Sequence, residues 1–123
     1  SISNRLEGLS QLHLLLASNY IGSELIQYKE TLIDLLMRTI KRTDEECIVG
    51  SQLLAILAIQ LGDDLSENMF DILPHLCSIM TDSDRCAQTR SKAALSIGIS
   101  AFFSCDSGTR MRQLIRAHIN KPG

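Results

Sequence analysis

The chain has 123 residues, 45% of them apolar and 21% charged, with a formal net charge of −2 at pH 7. That balance is too apolar for disorder and fits one small globular domain or a piece of a larger one. Two prolines and 4% aromatics, beside many Leu, Ile and Ala, favour helix over strand. No window holds the roughly 18 uncharged residues a membrane span needs, and neither a membrane span nor a signal peptide is expected.

The first helix is expected over residues 4–18, with Asn4 and Glu7 as cap and N3 partner. Leu6, Leu9, Leu12, Leu15 and Leu16 form its stripe. A second, over 23–42, turns Leu25, Ile26, Leu32, Ile33, Leu36 and Ile40 inward. It ends in Lys41 and Arg42, cations that suit the negative end of a helix dipole. Thr43 and Glu46 have capping-box spacing, so a third helix starts there and runs to Leu61, stopping at Gly62. Its later residues are so poor in polar groups that it should be buried on most sides. A fourth spans 66–80, with Pro74 either kinking it or beginning a new segment. A fifth spans 83–105, with Gln88, Lys92, Ser96, Ser100 and Ser104 as one thin polar stripe. A sixth, over 109–120, is short and basic.

Helices two and three match helices four and five as successive pairs. Residues 33–36 correspond to 70–73, and residues 51–59 to 91–99, at offsets of 37 and 40. Such a period lies within the range of about 34–47 residues for armadillo, HEAT and TPR repeats. In a stack of this kind the inner helix of each pair is shielded by its neighbours. Small residues such as Ala58, Ala94 and Gly98 would let inner helices approach closely. The fold class expected is therefore all-α, an armadillo/HEAT-like helical-repeat solenoid fragment of about six helices. Residues 1–106 would form the repeat domain and 107–123 a basic terminal helix, either continuing the domain or forming a separate segment of a longer chain.

Chemical motifs are sparse. There is no G-x-x-x-x-G-K-S/T loop, G-x-G-x-x-G turn or G-x-S-x-G elbow. His75, Cys77 and Cys86 lack a fourth ligand at zinc-like spacing, so no metal is expected. The four cysteines, Cys47, Cys77, Cys86 and Cys105, read as buried reduced thiols of a cytosolic or nuclear protein. His13 interrupts a leucine stripe and reads as a flank or partner contact. Asp63, Asp64 and Glu67 read as acids at a helix N-terminus. Lys41, Arg42, Arg85 and Lys92 read as solvated helix ends, and Arg90 as bonding a neighbouring turn through Asp82 or Asp84. Neither enzymatic activity nor a cofactor is expected.

Charge is distributed unevenly. Residues 1–106 hold eight Lys/Arg against fourteen Asp/Glu, a balance of −6, whereas Arg110, Arg112, Arg116 and Lys121 stand without an acid in 107–123, a balance of +4. Such an array can meet phosphates, each contact releasing counterions. The same residues would also suit a solvated end helix. A protein partner would instead use apolar positions such as Ile56 and Ile59, with Lys41 and Arg42 as further candidates.

The segments RLEGLSQLHLLLAS (5–18), YKETLIDLLMRTIKR (28–42), LLAILAIQLG (53–62) and ILPHLCSIMTDSDRCAQTRSKAALSIGISAFF (72–103) resemble the amino-terminal half of the interferon-related developmental regulator family. The resemblance implies an armadillo-like fold without enzymatic activity and a regulator found in cytoplasm and nucleus. It implies binding to idle ribosomes with silencing of translation, or transcriptional co-regulation through histone-deacetylase corepressors during differentiation. The partners expected are thus ribosomal RNA and proteins, or corepressor proteins, with no membrane and no small-molecule substrate. A generic HEAT-type adaptor is the third reading. Residues 107–123 depart from the family's repeat pattern.

Overall fold

A computed structural model of the chain describes residues 1–105. The basic segment with Arg110, Arg112, Arg116 and Lys121 lies outside the described residues. Within them the protein is all-α, with no strand. The helices are α1 (Ile2–Ser18), α2 (Gly22–Leu25), α3 (Lys29–Thr39), α4 (Asp44–Leu61), α5 (Met69–Met80) and α6 (Ala87–Ser104). Short 3-10 turns at Ile26–Tyr28 and Gly62–Leu65 lead into α3 and α5.

Local chemistry sets most boundaries. Ser1, rather than Asn4, caps α1, its hydroxyl accepting from the Asn4 N–H at 3.3 Å. The expected second helix is broken, because Tyr28 leaves the helical region (φ −104°, ψ 5°). Leu25 before the break and Ile33, Leu36 and Ile40 after it are all buried. Thr43 caps α4 as its spacing requires, accepting from the Glu46 N–H at 3.2 Å. The Glu46 carboxylate reciprocates by accepting the Thr43 hydroxyl proton. Gly62 closes α4 at φ +53°, a conformation that suits a residue without Cβ. Pro74 lies inside a continuous α5 on its exposed side, so no new segment begins there. The start of α6 is at Ala87 rather than Ser83. Residues 82–86 form a turn in which the Asp82 carboxylate accepts from the Asp84 N–H at 2.9 Å.

Helix α4 is the centre of the molecule. It packs on α6 most extensively, then on α1 and α3, while α5 covers α6. Leu53, Leu54, Leu57 and Ala58 of α4 are essentially sealed from water. Each leucine so buried contributes about 1.5–3 kcal/mol. The span Asp44–Leu65 is long and apolar enough to cross a membrane, but more than half of it is buried among the other helices, as expected of a core helix. Close approach of α3 and α4 depends on Gly50, where a Cβ would sit 2.9 Å from Ile40 Cγ2 and 3.0 Å from Thr39 Cγ2.

The two hairpins, α3–α4 and α5–α6, repeat in a definite register. Helices α4 and α6 have 18 residues each, and both their first residues (Asp44, Ala87) and their last (Leu61, Ser104) stand 43 apart. All six buried positions of α6, Thr89, Ala93, Ser96, Ile97, Ser100 and Ser104, fall that distance after the buried Glu46, Gly50, Leu53, Leu54, Leu57 and Leu61 of α4. The offset of 40 for these helices is therefore corrected by three residues. A three-residue slip turns a helix by only about 60°, so matching letters hid it.

The register also corrects two expectations for α6. Ser96, Ser100 and Ser104 do not form a surface stripe with Gln88 and Lys92. They are buried, and the Ser104 hydroxyl donates to the Ala58 carbonyl at 3.2 Å. Ala58 is indeed fully buried, but Ala94 and Gly98 are exposed, and a Cβ on Gly98 would meet nothing within 4 Å.

Candidate partner-binding surface

Most polar side chains that penetrate the fold serve to hold helices together. Glu46 is fully buried and accepts two bonds from Arg5 of α1, Nε to Oε2 at 3.0 Å and Nη2 to Oε1 at 3.3 Å. Arg42 approaches the same carboxylate at 3.5 Å. Bidentate guanidinium–carboxylate pairing is the strong form of this contact. The Arg5 hydrogen bond holds the Glu46 carboxyl below the usual carboxylate range, against the opposing effect of desolvation.

A second clasp joins the hairpins. Arg85 Nη1 donates to the Arg42 carbonyl at 3.0 Å and to Asp44 Oδ1 at 3.2 Å, and Nη2 donates to the Ile40 carbonyl at 3.3 Å. Those carbonyls belong to the end of α3 and the turn after it, groups that a helix terminus leaves without intrahelical partners. Thr89 adds a hydroxyl on Asp44 at 3.0 Å, and these two bonds, Thr89 first, lower the Asp44 carboxyl. Arg85 is thus no solvated helix end. The interhelical role expected of Arg90 belongs to Arg85, while Arg90 Nε is buried without a hydrogen-bond partner among the described residues.

The third clasp is Gln60, 5% exposed. Its amide donates to the carbonyls of Leu16 at 2.9 Å and Asn19 at 2.6 Å, and its oxygen accepts from the Ile21 N–H at 2.9 Å. It thereby fixes the path of the chain from α1 into α2.

The cysteines divide into two kinds. Cys47 and Cys77 are buried, and desolvation pushes both thiols up. Cys86 is exposed, correcting the expectation of burial, and Cys105 is half-buried. The Thr89 hydroxyl, 3.0 Å from Cys86 Sγ, and the Thr89 backbone lower the Cys86 thiol. Among the described residues no three of His, Cys, Asp and Glu are grouped to hold a metal.

What remains open is an apolar groove of about 150 Å³ where α1, α4 and α6 meet. Ile56 and Ile59 come from α4, Leu95 and Ile99 from α6, and His13 from α1, with Lys92 also lining it. Leu95 is 56% exposed and Ile59 42%. One turn beyond Ile99, Phe102 is 81% exposed and extends the apolar face. Sequence spacing singled out Ile56, Ile59 and His13. It missed Lys92, Leu95 and Ile99, whose i, i+3, i+7 spacing places them on one helix face. Lys41 and Arg42 are not brought to this groove. Lys41 is exposed in the turn after α3 and lines a separate depression with His75 and Asp82, whereas Arg42 is engaged at Glu46.

The model of the family described as Interferon-related developmental regulator (IFRD) matches residues 1–117. No curated protein and no solved structure matches the chain.

Proposed function

The chain belongs to the interferon-related developmental regulator family, and from that premise we propose a non-enzymatic regulatory scaffold whose contact surface is the groove between α1, α4 and α6. The observation that carries this reading is the exposure of Ile59, Leu95 and Phe102 on adjoining helix faces beside a concave, largely aliphatic lining. Contiguous apolar surface of that kind marks protein contacts. The clasps at Glu46, Asp44 and Gln60 keep the three helices that line it in place.

The partner proposed first is the idle ribosome, with translation silenced as the result. A ribosome offers protein surface to the groove and RNA phosphates to Arg110, Arg112, Arg116 and Lys121, which stand in an acid-free segment. The second reading is a transcriptional co-regulator that presents the groove to corepressor proteins, which the apolar lining also favours. The proposed location is cytoplasmic and nuclear.

Sedimentation of the tagged chain with ribosomes separates these readings. Ribosome binding through RNA should weaken steeply with salt. Replacing Arg112 and Arg116 by glutamate should lower the slope of log K against log salt by about two. Failure to enter ribosomal fractions at low salt removes the ribosomal role. Association with corepressor proteins should instead tolerate salt and be lost with Leu95→Asp, a change at an exposed position that leaves the core intact.

A further inference from the structure

The lining of the groove carries a basic side chain as well as an apolar floor. His13 and Lys92 are its titratable side chains, and no carboxylate lines it. The cations Arg5, Lys29, Arg42 and Arg85 each meet an acid. Lys92 meets none among the described residues and is half-buried at the rim. The acids of α4 lie at its amino-terminal end, in Asp44, Glu45 and Glu46, with Asp63 and Asp64 after its last turn.

Ser96 supplies an independent observation. It lines the same groove at 2% exposure, and its hydroxyl has no hydrogen-bond partner among the described residues. A buried donor without a partner is costly, whereas an acceptor delivered by a bound chain would satisfy it.

We infer that the groove binds an acidic peptide segment of a partner protein. A leucine-sized side chain enters between Ile56, Ile59, Leu95 and Ile99, a neighbouring carboxylate meets the Lys92 ammonium, and a backbone carbonyl accepts from the Ser96 hydroxyl. This rests on the groove being the contact surface. The selection is local: at physiological ionic strength charges beyond about 8 Å are largely screened, so Lys92 outweighs the net negative charge of the body. Nucleic acid fits the lining poorly, with one lysine and no Phe, Tyr or Trp in it.

The test is a chemical-shift titration of the full ¹⁵N-labelled chain with short peptides. One has a central leucine flanked by glutamates; its two analogues carry glutamines or lysines in their place. The glutamate peptide should move the amides of Gln52, Ile56, Lys92 and Leu95 and bind most tightly. Lys92→Glu should weaken it about fivefold and raise affinity for the lysine peptide. Ser96→Ala should weaken all three peptides about equally while the urea midpoint stays level or rises. If the glutamine peptide binds the groove as tightly as the glutamate peptide, or the lysine peptide binds more tightly, the acidic preference is wrong and the groove stands. If no peptide moves those amides, the groove itself is not the contact surface, and both ideas fall.

Discussion

Replacing Gln60 by leucine tests how the fold is held better than any aliphatic truncation, because size is nearly kept and only the polar contacts go. The substitution leaves the carbonyls of Leu16 and Asn19 and the N–H of Ile21 without their partner. At about 1–1.5 kcal/mol for each of the three lost contacts, less about 1 kcal/mol gained from burying a more apolar side chain, the cost is about 2–3.5 kcal/mol. A domain of this size has total stability of about 5–15 kcal/mol. With a urea slope of about 1.5 kcal/mol/M, the unfolding midpoint followed by circular dichroism should fall by about 2 M. Helix α1 buries only Leu9 and Leu16, so part of the loss should appear locally. Amides of α1 and α2 should lose hydrogen-exchange protection before those of α4. Gln60→Glu is the control. It keeps an acceptor for Ile21 but aims a carboxylate at two carbonyl oxygens, so it should be less stable at pH 7 than at pH 5. An unchanged midpoint together with unchanged α1 protection in Gln60→Leu would refute the clasp.

Two glycines on inner helices should respond with opposite sign to alanine. At Gly50 the new Cβ presses on Ile40 and Thr39, so overpacking exceeds the gain in helix propensity and stability falls by about 1 kcal/mol. At Gly98 it meets open space, so stability rises by about 0.5–1 kcal/mol, as urea melts of the two variants would show. Acid should destabilise the chain through Asp44 and Glu46. Both have folded-state values below the ordinary 3.8 and 4.5, so the unfolded chain takes up protons first. Their contribution is present above the unfolded values and is lost as pH falls through about 4.5 and below. In Glu46→Gln the acid limb of the stability–pH curve should be shallower, measured by urea midpoints between pH 6 and pH 3.

The helices were legible where one residue type has one job. Thr43 with Glu46, and Gly62 after Leu61, mark α4 because a cap needs an acceptor at one end and a residue tolerant of positive φ at the other. The break at Tyr28 was not legible, since nothing in the run through Ile26, Gln27 and Tyr28 forbids a helix. Serines misled for a related reason. In a pattern of letters Ser96, Ser100 and Ser104 read as a wet stripe, yet small hydroxyls also suit a close helix seam, and the α4–α6 contact decides between those uses. Arg85 and Arg90 were exchanged because the carbonyls at Ile40 and Arg42 that attract an arginine lie more than forty residues earlier in the chain.

The same register explains how one helix supports both stability and recognition. On α4, Cys47, Ser51, Ala55 and Ala58 are buried. Their counterparts 43 residues on are Arg90, Ala94, Gly98 and Ala101, which are exposed or half-buried. Helix α6 therefore keeps its α4-facing side dry through Ala93, Ile97, Ser100 and Ser104, with Ser96 at the edge where the groove begins, while its other side stays open through Leu95, Gly98 and Phe102. A charge placed on the first side would have to be buried and would cost the fold. A charge at Leu95 stays in water and costs only recognition. Leu95→Asp should accordingly leave the urea midpoint within about 0.5 kcal/mol of the parent chain. Ala93→Asp should unfold it.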